Sequence, residues 1–250
     1  MSLEHERIAL ITGANRGLGL ETARQLGRSG VKTIIAARDA AKGERAASEL
    51  RAEGLDAGSV VLDVTSPASV RAASRRVADE YGRLDILVNN AGILPEATAG
   101  ETAGPLDRDL FRQTFDTNLF GVVTVIQEFL PLLRASGSGR IVNVSTTMGS
   151  LSDASDPESP YYGVVVPAYQ ASKAAVNAIT VALAKLLRDS SIKVNSICPG
   201  WVQTDLGGPD NRAAAPLTAE EAAPIVVAMA SIPDDGPSGQ FVDRDGPVAW

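Results

Sequence analysis

Short apolar runs alternate along this chain with longer segments whose apolar positions recur every three or four residues. The runs are Ile8–Ile11, Val31–Ala37, Ser59–Val64, Leu84–Asn89, Arg140–Ser145, Ile192–Cys198 and Gly239–Val242. Most are rich in β-branched residues and lack a polar alternate face, the signature of strands buried on both sides. The segments between them predict helices over Leu18–Arg28, Ala40–Glu53, Pro67–Tyr81, Asp107–Arg134, Pro167–Arg188 and Ala219–Ser231. Asp39, Ser66 and Thr218 stand where helix caps belong, and Pro67 takes the favoured first helical position. Strand and helix alternate from end to end with no internal repeat or domain boundary. This predicts one Rossmann-type α/β domain over residues 1–250, a doubly wound seven-stranded parallel sheet flanked by helices.

Three stretches break the pattern. Residues 93–106 read as a loop, with Pro95, Gly100, Gly104 and Pro105. Residues 150–167 are polar and proline-containing, and read as an insertion over a site entrance. Residues 204–216 are rich in glycine, proline and alanine, a composition that suits a mobile substrate loop.

Composition narrows the function classes. The net charge is −7 and the pI about 4.8, which argues against a nucleic-acid-binding surface. Any anionic ligand must therefore be held by local arginines and backbone N–H groups. Cys198 is the single cysteine, so no disulfide forms within the chain, and a reducing cytoplasm is the expected compartment. The first residues are charged, with no apolar signal core behind them, and no uninterrupted apolar run approaches the roughly 20 residues that span a bilayer. The one histidine, His5, lies in this leader, so histidine catalysis and multi-histidine metal sites are not expected.

The candidate chemistry lies at strand ends. Gly13, Gly17 and Gly19 follow the first strand and open a helix, the context in which backbone N–H groups cradle a phosphate. After the second strand, where an NAD site carries an acid, stands Arg38, and Arg16 precedes Gly17. Two arginines near a ribose suit a 2′-phosphate, which points to NADP(H). Asp39 is read as a helix cap instead. Asp63 either accepts from an adenine amino group or serves a turn. Asn89-Asn90-Ala91-Gly92 leaves room for a flat ligand against backbone. Asn118, a poor helix former inside a helix, is either tolerated or has a task. Tyr169 and Lys173, four apart, share a helix face, where an ammonium lowers a phenol's pKa and makes a general acid/base pair. Tyr161 and Tyr162 have no lysine four residues on.

Together these pieces resemble the short-chain dehydrogenase/reductase family: Thr12-Gly13-x3-Gly17-x-Gly19, Asp63-Val64, Asn89 to Gly92, Asn118, Ser145-Thr146, Tyr169-x3-Lys173 and Pro199-Gly200, in order along nearly the whole chain. Cys198 to Asp205, Gly207-Gly208-Pro209 and Gly236 to Val242 resemble its carbonyl reductase branch. The resemblance implies NADPH-dependent reduction of a ketone or aldehyde by a cytoplasmic enzyme, a monomer or homo-oligomer. It gives Tyr169 the proton donation and Lys173 the tyrosine pKa and the nicotinamide ribose. Asn118 would hold a relay water, and Val202 and Thr204 would contact the carboxamide. Cofactor contacts also fall on Asn15, Leu18, Val64, Asn90, Ala91, Gly92, Pro199 and Gly200, and Thr146, Tyr169 and Trp201 would face the substrate. The family's catalytic hydroxyl is usually the second serine of a pair, three residues before a glycine. Thr146 holds that place here, and strand alternation should turn Ser145 away. The spacing of 23 from Thr146 to Tyr169 is longer than usual because of the insertion. The same residues serve alcohol oxidation, and a non-catalytic NADPH-sensing protein is a further alternative.

Overall fold

The computed structural model describes residues 6–98 and 106–250. The leader through His5 and the loop positions Gly100, Gly104 and Pro105 lie outside the described residues. The elements run β1 (Ile8–Thr12), α1 (Gly17–Arg28), β2 (Lys32–Ala37), α2 (Ala40–Ala52), β3 (Ala57–Val61), α3 (Pro67–Tyr81) and β4 (Ile86–Asn89). There follow α4 (Arg108–Phe115), α5 (Gly121–Ala135), β5 (Arg140–Val144), α6 (Leu151–Ala154), α7 (Pro167–Leu186) and β6 (Lys193–Ile197). The chain closes with α8 (Gly208–Ala214), α9 (Ala219–Ala230), β7 (Phe241–Asp243) and β8 (Gly246–Pro247).

The sheet order is β3-β2-β1-β4-β5-β6-β7-β8. All neighbours are parallel except β7 and β8, so the sheet has eight strands, one more than the sequence suggested. The extra strand is a two-residue antiparallel return, too short to leave a hydrophobic pattern. Strand order reverses at β1, which pairs with β2 on one side and β4 on the other. A crevice at the carboxyl ends of two such strands is where doubly wound sheets place ligands.

Each face of the sheet has its own core. On one side Val70 and Val77 of α3, Val125 and Phe129 of α5, and Val176 of α7 pack on Leu10, Leu87 and Ile141. On the other, Leu26 of α1, Leu50 of α2 and Val226 of α9 pack on Ile11, Ile35 and Val88. The continuous helix from Arg108 to Ala135 is long and apolar enough to cross a membrane by length and composition, but Val125, Phe129 and Leu133 are fully buried in the protein core. It is a core helix here.

Several expectations shift. β3 occupies 57–61 rather than 59–64, because β2 ends at Ala37 opposite Val61 and Asp63 folds into a turn. The 204–216 stretch, expected as a loop, contains a 3₁₀ turn (Asp205–Gly207) and α8. Its stem is closed by pairing of Val202 with Leu217. The insertion contains α6, whose Ser152 donates through both N and Oγ to the backbone oxygen of Trp250.

Candidate active site at the carboxyl edge of the sheet

The turn after β1 is built for close approach. Gly13 (φ 66°) and Gly17 (φ 57°) hold left-handed backbone, which L side chains adopt only with strain. A Cβ on Gly19 would lie 2.6 Å from Asn90 Nδ2 and 2.9 Å from Ala14 Cα. The first turn of α1 has no side-chain cap and no acidic residue, so its first N–H groups are left without a side-chain acceptor. Asn90 staples the end of β4 to this turn, its Nδ2 donating to Thr12 O at 2.8 Å and its N to Thr12 Oγ1 at 3.0 Å. Ala91 N bonds the same hydroxyl at 3.0 Å. Leu18 is buried and Asn15 half-buried in the turn.

At the end of β2, Arg38 is exposed and makes no ion pair or hydrogen bond among the described residues. Asp39 caps α2, accepting from Lys42 N at 3.0 Å, as the sequence suggested. Arg16 is ion-paired with Asp205, which also pairs with Arg212 at 2.9 Å. Asp63 serves a turn, its Oδ1 accepting from Thr65 N (2.9 Å) and Thr65 Oγ1 (2.8 Å). Val64 packs against the start of α5 at Gly121. The uncapped glycine turn at the switch point fits the phosphates of a nicotinamide dinucleotide.

Asn118 lies on a π turn (Asp116–Phe120) inside the long helix and is fully buried. The widened turn carries its amide across to the end of β4, where Oδ1 accepts from Ile93 N (2.8 Å) and Nδ2 donates to Ile93 O (2.9 Å). The same Nδ2 reaches Ser172 Oγ at 3.2 Å. π turns of this kind recur at functional sites. A side chain at Gly92 would fill the space bordered by Asn118 Oδ1 (3.4 Å) and Lys173 Nζ (3.7 Å).

Tyr169 and Lys173 sit on successive turns of α7, each 5% exposed. Lys173 Nζ lies 5.7 Å from the centre of the Tyr169 ring and donates to Val144 O at 2.7 Å. Burial pushes the phenol of Tyr169 upward, with Cys198 adding to the effect, and burial lowers the Lys173 ammonium to about 8. The phenol shift is opposite to the sequence expectation. Desolvation penalises both charged forms, and the lysine proton is aimed at a backbone carbonyl rather than at the phenol oxygen. Tyr161 is half-buried, and burial raises its phenol too; Tyr162 is exposed.

Ser145 turns its hydroxyl towards the backbone of α7, at 3.5 Å from Lys173 O. Thr146 is 9% exposed and accepts from Met148 N at 3.3 Å. The turn after it lies directly on α7, since a Cβ on Gly149 would meet Lys173 Cβ at 2.8 Å. Pro199 and Gly200 lead from β6 to Trp201, whose indole N–H donates to Asn211 Oδ1 at 2.5 Å. Thr204 rests on the glycine turn, its methyl 3.2 Å from where a Gly17 side chain would begin. Glu96, which sequence reasoning passed over, binds the first turn of α7 through Ala168 N and Tyr169 N. No local signal marks it, because its partners lie 72 and 73 residues away. Among the described residues no cluster of three or more metal-ligating side chains is present.

The family described as short chain dehydrogenase matches residues 7–215. The chain is 39% identical over 207 residues to the short-chain dehydrogenase anuI of Penicillium roqueforti, covering 80% of this chain and 81% of that one. It is 34% identical to carbonyl reductase (NADPH) 1 of Sus scrofa, covering 98% and 94%. The structure of NADPH-bound carbonyl reductase from chicken fatty liver superposes with a TM-score of 0.81 at 30% identity, covering 98% of this chain and 99% of that one. The chain therefore belongs to the short chain dehydrogenase family of oxidoreductases, on its carbonyl reductase-like branch.

Proposed function

We propose that this protein is an NADPH-dependent carbonyl reductase in which Tyr169 Oη gives its proton to the oxygen of a ketone or aldehyde. The observation that carries the reading is a buried phenol and a buried ammonium on adjacent turns of one helix, beside an uncapped glycine turn at the sheet's switch point. The names of two relatives, NADPH carbonyl reductases from pig and chicken, support it.

When bound, NADPH would supply the hydride that the carbonyl carbon accepts. It would be held by the turn from Gly13 to Gly19, by Arg38 at the 2′-phosphate, by Asn90 to Gly92, and by Pro199 to Thr204. Arg16 would join Arg38 only by leaving Asp205 or by sharing it. A phenol is protonated near neutrality, as a proton donor must be, but burial makes that of Tyr169 a weaker acid, so giving up the proton depends on a cation that stabilises the phenolate. Once the proton has gone, Lys173 supplies the cation that offsets the cost of a buried phenolate. Thr146 would hold the carbonyl oxygen with its hydroxyl, since Ser145 is directed at α7. Glycine at 92 leaves open the space between Asn118 Oδ1 and Lys173 Nζ, the place for a water that returns protons to the lysine. Residues 93–98, the insertion and the 201–216 segment would form the substrate walls, with Trp201 among them.

The test is consumption of NADPH and of NADH with aryl ketones, aldehydes, α-keto esters and quinones. Turnover with NADPH preferred is expected. Tight NADPH binding with no turnover across all four classes would contradict the reading.

A further inference from the structure

Helix α7 carries both Tyr169 and Lys173, yet nothing adjacent to it in sequence caps it. Val166, just before the first turn, provides no side-chain cap. Pro167 has no N–H to satisfy. The first free backbone donors are Ala168 N and Tyr169 N, and one carboxylate takes both. Glu96 Oε1 accepts from Ala168 N at 2.9 Å, and Oε2 accepts from Tyr169 N at 2.8 Å. A carboxylate accepting from two N–H groups at the positive end of a helix makes the strong, charge-assisted form of this bond.

The short segment that presents Glu96, the 3₁₀ turn Pro95–Ala97, is itself anchored. Two residues upstream, Ile93 exchanges two hydrogen bonds with the Asn118 amide. Asn118 also donates to Ser172 Oγ, which in turn donates to Tyr169 O at 2.7 Å. The backbone of Tyr169 is thus gripped at its N–H by Glu96 and at its carbonyl by Ser172. Both grips trace back to residues 93–96.

We propose that Glu96 is a positioning residue for the reaction: its carboxylate fixes the first turn of α7 and so aims the phenol of Tyr169. The inference rests on Tyr169 being the proton donor. Glu96 acts through backbone and needs no contact with substrate.

A double-mutant cycle tests this. Glu96→Ala and Glu96→Gln are each made in the wild-type and the Tyr169→Phe backgrounds, with circular dichroism identifying folded variants. Single-turnover carbonyl reduction and NADPH affinity are measured at one temperature well below unfolding. In the wild-type background Glu96→Ala should lower the rate by roughly tenfold to a hundredfold, the cost of a small misplacement of a reacting group. NADPH affinity should stay unchanged. Glu96→Gln keeps an acceptor oxygen for one of the two N–H groups and should fall between. In the Tyr169→Phe background neither substitution should lower the residual rate further. Equal fractional losses in both backgrounds would reduce Glu96 to general structural support and overturn the proposal, as would an unchanged rate in Glu96→Ala. If Ala does not fold, Gln alone decides on the same criteria. Wild-type turnover in Tyr169→Phe itself would overturn the reading of Tyr169, and the role of Glu96 with it.

Discussion

Two helix ends at the same edge of the sheet meet opposite fates. The first turn of α1 has no side-chain cap and no acidic residue, and it opens on a turn whose glycines carry no side chains of their own. The first turn of α7 also lacks a local cap, but Glu96 closes it from a different part of the chain. Both ends carry the same partial positive charge and the same unpaired donors. An end left bare at a switch point invites a phosphate. An end closed by a carboxylate is no longer a phosphate site and becomes a rigid mount, here for Tyr169. A third end, that of α9, shows the ordinary solution, in which Thr218 accepts from Glu221 N while the Glu221 carboxylate accepts from Thr218 N.

The comparison breaks most severely at Gly19. In Gly19→Ala the new methyl group meets the backbone of Ala14 and the side chain of Asn90. Overpacking of this kind costs about 1–3 kcal/mol and here closes the bare end of α1. NADPH affinity measured by calorimetry should fall by a hundredfold or more, with a lowered Tm. Next, Arg38→Asp removes the exposed cation from the end of β2. The ratio of NADPH to NADH affinity should fall roughly tenfold to a hundredfold, the value of a charge-assisted bond, while affinity for NADH is retained.

At the closed end, the protonation of Lys173 sets a pH limit. Its ammonium is favoured below about 8 and lost above it. Under the proposed mechanism, reduction needs that charge beside the phenolate, so kcat should be level on the acid side and fall by up to about tenfold per pH unit above pH 8. Lys173→Arg keeps the charge at all accessible pH values, so whatever its absolute rate, its profile should stay level past that point. The smallest effect belongs to the ordinary end. Thr218→Ala removes a surface cap, costs about 1 kcal/mol in urea denaturation, and should leave turnover unchanged.

Local signals in the sequence were enough for most of the fold. The Ser66-Pro67 start and the Thr218 cap placed α3 and α9 because capping is a matter of neighbouring residues. The β-branched runs placed β1, β2 and β5 to within a residue or two. β3 slid because its extent is set by where β2 ends, which is a property of the pair. In the candidate site, the adjacency of Tyr169 and Lys173 on α7 was legible because it follows from helical spacing. Asn118 was visible as an oddity, but the π turn that uses it was not. The helical character of 208–214 was hidden by its glycine and proline content. Glu96 was illegible for a simpler reason: it looks like any surface acid until the fold brings Ala168 and Tyr169 to it.

The most direct measurement is Tyr169→Phe, followed by carbonyl reduction and NADPH binding in the same preparation. The phenyl ring keeps the packing and removes only the hydroxyl that carries the proton. The account predicts turnover lower by about 10² to 10⁴-fold, the usual worth of a positioned general acid, with NADPH affinity unchanged. Turnover close to wild type, with affinity likewise unchanged, would contradict it.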